Sequence, residues 1–152
     1  MSRIAWSPDG SEIYFVAPDA KSDDEKAREK LKDDVYAYDE NFEQEHLWAA
    51  TVADGKARRI TEGDYSVLDY KVSVDGQRIA HHRAPSPKFG DREQGEVWLM
   101  NRDGSAAVQL TKNRVPEDGA ALSPDGAWVM FGAQANQRFE TYYNRKIFVV
   151  PS

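Results

Sequence analysis

Apolar and polar residues alternate in short runs along most of the chain, and Asp-Gly pairs punctuate the runs. Glu12-Ile13-Tyr14-Phe15-Val16, Arg78-Ile79-Ala80-His81-His82 and Trp128-Val129-Met130-Phe131 read as strands. Each follows a second apolar segment that ends in a turn. The three copies are Ile4-Ala5-Trp6-Ser7-Pro8-Asp9-Gly10, Tyr70-Lys71-Val72-Ser73-Val74-Asp75-Gly76 and Ala120-Ala121-Leu122-Ser123-Pro124-Asp125-Gly126. Pro presets φ at the second turn position, Asp bonds local backbone, and Gly supplies the positive φ that closes the turn. Every copy is therefore predicted to be a hairpin.

A second motif follows at a matching offset. His46-Leu47-Trp48-Ala49-Ala50-Thr51-Val52, a turn at Asp54-Gly55 and residues 57–61 recur as Glu96-Val97-Trp98-Leu99-Met100-Asn101, a turn at Asp103-Gly104 and residues 107–111. A third start is Lys146-Ile147-Phe148-Val149-Val150. Trp48, Trp98 and Phe148 are 50 residues apart, as are Ser73 and Ser123. Ser7 and Ser73 are 66 apart, and the excess of 16 is assigned to an insertion at 19–34. Four strands per unit at this period is the pattern of propeller blades; a β-sandwich would not explain the fixed offset between the two motifs. The predicted fold is all-β: a partial β-propeller of about three blades of four antiparallel strands, the third blade lacking its outer strand. The chain is expected to form a single propeller fragment over 1–152, with blade 1 at 1–63, blade 2 at 64–113 and blade 3 at 114–152.

In such a blade the chain reverses at every strand end, so turns and loops sort onto two faces. The tight Asp-Gly turns fall on one face, and the predicted long loops 18–45, 85–95 and 133–145 on the other. Function concentrates on long loops held by a rigid scaffold, so the second face is favoured. In the first loop, residues 20–32 combine helix formers with Ser22 as a candidate N-cap and early acids, which predicts a short charged helix. The third loop mixes aromatics, Arg and amides, residue types that recur at binding surfaces. Arg138, Glu140, Tyr142, Tyr143 and Arg145 are its candidate partner or substrate contacts, and Lys146, Ile147, Phe148, Val149 and Val150 form a candidate assembly edge.

Composition narrows the functional classes. Twenty Lys and Arg against 26 Asp and Glu give a net charge of -6 with no basic cluster, which argues against a nucleic-acid partner. No apolar run is long enough for a membrane span, and no signal peptide is visible, so the expectation is a soluble chain of undetermined compartment. The absence of Cys removes disulfides, thiol catalysis and Cys-type zinc sites. No nucleophile elbow, phosphate loop, dinucleotide fingerprint or His-Glu-x-x-His pair is present, so catalytic, cofactor-binding and metal residues are all expected to be none. His81 and His82 are neighbours on a strand, point to opposite faces and do not make a joint metal site. The segment 39–45 lacks the glycine and terminal acid of a calcium loop.

The hairpin Trp6-Ser7-Pro8-Asp9-Gly10 and its copy Leu122-Ser123-Pro124-Asp125-Gly126 resemble the TolB-type propeller repeat. With Asp33-Asp34-Val35-Tyr36 leading to His46-Leu47-Trp48 and then Ala57-Arg58-Arg59-Ile60-Thr61, nearly the whole chain resembles the N-terminal propeller of prolyl oligopeptidase family serine peptidases, of the acylaminoacyl peptidase or dipeptidyl peptidase type. The resemblance implies a non-catalytic segment that gates peptide access to a separate α/β-hydrolase domain, which this chain does not contain, so no catalytic residue carries over. Two alternatives stay open: a stand-alone TolB-like interaction scaffold, and an engineered or excised fragment that self-assembles. An arc of blades leaves apolar faces at both ends and a free strand edge, which drive association. The expected partners are further copies of the chain, or the missing blades and hydrolase domain, with peptides as candidate ligands.

Overall fold

The computed structural model describes residues 2–21, 23–31 and 42–152. Three antiparallel sheets follow one another in chain order. The first blade contains β1 (Ser2–Trp6), β2 (Glu12–Pro18), β3 (Glu45–Thr51) and β4 (Ala57–Arg59), in that spatial order. Blade 2 repeats the arrangement with β5 (Ser66–Val72), β6 (Arg78–Ala84), β7 (Glu96–Asn101) and β8 (Val108–Gln109). Blade 3 contains β9 (Glu117–Leu122), β10 (Trp128–Ala135) and β11 (Thr141–Pro151). The fold is a partial β-propeller, and the helices α1 (Asp23–Lys30) and α2 (Phe89–Arg92) lie in the loops between second and third strands.

The three Ser-x-Asp-Gly turns are the same object. Ser7 Oγ donates to Asp9 Oδ1 at 2.6 Å and accepts the Glu12 amide at 2.9 Å. Ser73 does the same with Asp75 and Arg78, and Ser123 with Asp125 and Trp128. Gly10, Gly76 and Gly126 all have φ between 71° and 73°, a conformation that costs glycine little. Serine is therefore as integral as Pro, Asp and Gly, because it ties the start of the turn to the next strand.

Alternation sorts side chains into two inter-blade seams. Tyr14, Val16, Leu47 and Ala49 of blade 1 pack on Val67, Ile79 and Met100 of blade 2. On the opposite side of blade 2, Ala80, Val97 and Leu99 pack on Val129, Phe131 and Ala133 of blade 3. Each following blade lays its inner strand across the preceding sheet, β5 on β2 and β3, and β9 on β6 and β7.

The loop expected at 133–145 is much shorter. β10 runs to Ala135 and β11 begins at Thr141, because a bulge between Ala133 and Ala135 lets the hairpin continue past Gly132. The expected outer strands are also trimmed. Past β4 and β8, the Ile60 and Leu110 amides still reach the Leu47 and Val97 carbonyls at 2.8 Å, and hydroxyls complete the pairing: Thr61 Oγ1 accepts the Leu47 amide at 2.9 Å, and Thr111 Oγ1 accepts the Val97 amide at 2.8 Å.

Candidate functional site

The long-loop end of the seam between blades 1 and 2 holds a concave polar site of about 420 Å³. Its walls come from four separate stretches. Asp19, Ala20 and Lys21 follow β2, Glu43, Gln44 and His46 lead into β3, Arg59 ends β4, and Gly63 and Asp64 precede β5. Gln44 fixes the junction between the blades. Its Nε2 donates to Asp64 Oδ1 and to the Pro85 carbonyl, both at 2.9 Å, and its Oε1 accepts Ser66 Oγ at 2.6 Å. Arg59 reaches Asp19 Oδ2 at 2.7 Å and the Thr61 carbonyl at 2.8 Å.

His46 contributes to this lining yet is almost wholly buried. Burial, reinforced by the charge of Arg59, holds its imidazole below the ordinary histidine range, so the ring is neutral at pH 7. Nδ1 lies 3.3 Å from Thr61 Oγ1, and the ring meets Tyr65 edge-on at 5.8 Å. With three carboxylates, Lys21 and Arg59 lining it, the site is mixed in charge and slightly acidic. It is suited to binding a small polar or cationic group. A hydroxyl beside a neutral histidine is present, but the Thr61 oxygen already receives the Leu47 amide.

Below this site, the blade 1–2 seam contains His81. Arg83 Nε donates to His81 Nε2 at 2.9 Å, and the Arg83 guanidinium lies 4.2 Å from the Tyr65 ring centre and 4.1 Å from that of Trp98. Burial, with the Arg83 charge beside it, pushes the His81 pKa down to about 3. His82 points the other way, into the blade 2–3 seam, where its Nδ1 meets Asp69 Oδ1 at 2.5 Å. Asp69 Oδ2 accepts the Gly119 amide at 3.2 Å and lies 3.9 Å from the Arg3 guanidinium. Arg3, Asp69 and Gly119 stand at the same position of the three inner strands, four residues before each turn serine. Burial acts to raise the Asp69 pKa, but the hydrogen bond and charge of His82 outweigh it and hold the carboxyl low.

The sequence candidates of blade 3 fall in different places. Asn136 closes the short turn: its Oδ1 accepts the Arg138 and Glu140 amides, and its Nδ2 donates to Glu140 Oε2 at 2.6 Å. Phe139 packs on Phe148 with ring centres 4.8 Å apart, while the Arg138 side chain is exposed. Arg145 is remote from that turn, crossing Gly132 to pair with Asp118. Tyr142 and Tyr143 belong to β11, and their side chains lie outside the described residues. The edge 146–150 splits by parity, with Phe148 and Val150 packed toward blade 2 and Ile147 and Val149 exposed. The segment 34–42 lies outside the described residues except for Phe42, whose ring sits 4.5 Å from Lys88 Nζ. Among the described residues no cluster of His, Asp and Glu is arranged to hold a metal, and no helix is long and apolar enough to cross a membrane.

The polar cavity was not legible as a motif, since it joins residues up to 45 positions apart. No protein-family model matches the chain, and no curated protein does. Solved structures do match in fold. TolB from Acinetobacter baumannii superposes with a TM-score of 0.59 at 16% identity, over 97% of this chain and 29% of that one. The tricorn protease gives 0.62 at 12% identity, over 99% of this chain and 13% of the other. The β-propeller domain of the Trilobed protease from Pyrococcus furiosus gives 0.52 at 11% identity, over 97% and 42%. The chain thus spans less than a third of the first two structures, and the likeness shows a partial β-propeller fold.

Proposed function

We propose that this chain is a non-catalytic propeller segment that receives peptides at its long-loop face, as the gating propeller of a prolyl oligopeptidase type serine peptidase would. The observation that carries this reading is the polar cavity at the blade 1–2 seam, on the face opposite the self-satisfied Asp-Gly turns. Two of the similar structures are a protease and the propeller domain of a protease, which supports the same reading. Calorimetric titration with short Lys- or Arg-containing peptides tests it. Saturable binding is expected, weakened at least tenfold by the paired changes Glu43→Gln and Asp64→Asn, with no turnover of peptide or acyl-ester substrates. Peptide binding unaffected by those changes, or absent altogether, overturns the proposal. The similarity to TolB favours a second reading, a protein-interaction scaffold without a peptidase; capture of folded proteins but not peptides would support it.

A further inference from the structure

The repeat places a threonine at the same point of blades 1 and 2, and the two hydroxyls dispose of their protons differently. Thr111 Oγ1 accepts the Val97 amide and donates to Glu117 Oε2 at 2.7 Å. Thr61 Oγ1 accepts the Leu47 amide in the same way, but the counterpart of Glu117 fifty residues earlier is Val67, a buried side chain with no acceptor. The hydroxyl proton of Thr61 is therefore left to His46 Nδ1, 3.3 Å away. A neutral imidazole that accepts at Nδ1 carries its hydrogen on Nε2. The threonine thus selects the tautomer of the histidine.

The three histidines then part company. His81 Nδ1 and His82 Nε2 are sealed inside the seams without a hydrogen-bond partner. His46 Nε2 is not among these sealed nitrogens, and its ring lines the polar cavity between blades 1 and 2. Two neighbours in that lining are already engaged: Arg59 with Asp19 and the Thr61 carbonyl, Gln44 with Asp64 and the Pro85 carbonyl. The counterpart of His46 in blade 2 is Glu96, whose carboxylate is taken up by the amides of Asn113 and Arg114. Blade 1 instead offers the cavity an uncharged N–H, close to the carboxylates of Glu43 and Asp64 that share the lining. Those carboxylates attract a cation. A neutral donor beside them adds a demand for an uncharged acceptor without adding positive charge.

We propose that His46 is a specificity-determining residue of this cavity, its Nε2–H donating to a main-chain carbonyl of the bound peptide beside a basic side chain taken by Glu43 and Asp64. The inference rests on the peptide reading above and narrows its ligand to a Lys or Arg within a peptide, as against a free amine of the same charge. A site with a donor set for its ligand discriminates against an analogue that lacks the acceptor, because the donor is then left unpaired. For one uncharged hydrogen bond the preference is about fivefold.

The tautomer is tested without any ligand. Two-bond proton–nitrogen correlation spectra of the 152-residue chain, with its histidines isotope-labelled and His46 assigned from His46→Gln, should show Nε2 protonated and Nδ1 bare at pH 7. A His46 ring protonated at Nδ1 overturns the proposal. Calorimetric titration then compares N-acetyl-lysine methylamide, which has a carbonyl on either side, with n-butylammonium, which has the same cation and none. The wild type should bind the first about fivefold more tightly. His46→Gln keeps an amide N–H at nearly the reach of Nε2 and should retain the preference; His46→Leu should abolish it. The preference is a ratio within one protein, so a variant that merely loosens the fold weakens both ligands together and leaves the ratio standing. A ratio that stands in His46→Leu overturns the proposal. If neither ligand binds the wild type, the peptide reading falls and this inference with it, whereas equal binding of the two sinks the inference alone.

Discussion

The two seams of the arc are built on one geometry and carry different chemistry. At the tight-turn end of the blade 1–2 seam, Glu12 accepts Arg102 Nη2 at 2.9 Å and Arg58 Nη2 at 3.0 Å. At its other end, Arg83 is stacked between Tyr65 and Trp98 above a buried His81. The blade 2–3 seam is instead aromatic and aliphatic, with Phe131 stacked on Phe148 at 5.6 Å. Besides the His82–Asp69 pair, its polar groups include two glutamates: Glu117 accepts Thr111 Oγ1 at 2.7 Å and Asn113 Nδ2 at 2.5 Å, and Glu96 accepts the amides of Asn113 and Arg114. The difference teaches that turn and alternation fix how blades stack, while the residues filling the seam are free to specialise. Seam 1–2 buries His81 beneath Arg83 and pairs arginines with Glu12; seam 2–3 shelters two glutamates and the His82–Asp69 pair.

The comparison can be broken at a single glycine. Gly104, at φ 90°, sits so close to blade 1 that a Cβ would lie 2.2 Å from the Ile60 carbonyl oxygen. Gly104→Val should therefore cost roughly 4 kcal/mol, combining backbone strain with a main-chain collision. Chemical denaturation would measure the loss, and hydrogen exchange should place it first in blade 1. Phe131→Ala breaks the other seam. It removes a ring that is 1% exposed and should cost about 3 kcal/mol, with protection lost first in β9 to β11. If both variants lose protection uniformly, the seams are one cooperative unit.

A smaller effect distinguishes the seams by acid. The folded chain keeps His81 neutral until about pH 3, whereas the unfolded chain takes up a proton near 6.5. Stability from this group is complete above pH 6.5 and falls as the pH drops through 6.5 toward 3. Between pH 7 and 5 the loss should be about 2 kcal/mol. His81→Phe should flatten that slope, and phenylalanine already stands at the equivalent positions 15 and 131. Burial raises the Glu117 pKa, so its contribution has the opposite sign, present at low pH and lost as the pH rises through the folded value. Denaturation midpoints measured from pH 4 to 8 would separate the two, and an unchanged slope in His81→Phe would remove the assignment to seam 1–2.

Much of the fold was legible because its strongest signals are local. The serine turns demand glycine at positive φ, and the spacing of Trp48, Trp98 and Phe148 exposes the period. The third long loop was not legible, because the bulge at Ala133 carries a strand through residues whose mixture of Arg, Asn and aromatics reads as irregular. The candidate site was hidden for a different reason. Gln44, Arg59 and Asp64 carry no signature along the chain, and they become neighbours only when β3, β4 and β5 meet at the junction of two blades. Opposite parity placed His81 and His82 correctly on different faces, and each partner follows from the sheet itself: Arg83 lies two residues along the same strand, and Asp69 sits directly opposite His82 in the β5–β6 register.

The Ser-x-Asp-Gly turn closes its defining bonds within itself and the strand it starts, while its ties to other blades, Arg102 to Asp9 and Arg78 to the Gly126 carbonyl, differ from copy to copy. It is an interchangeable part. A gene could add or remove a blade by copying this unit without re-tuning the turn, and the number at which the ring closes would then be decided by side chains such as Glu12, Arg78 and Trp128, the variable residues five places after the serine.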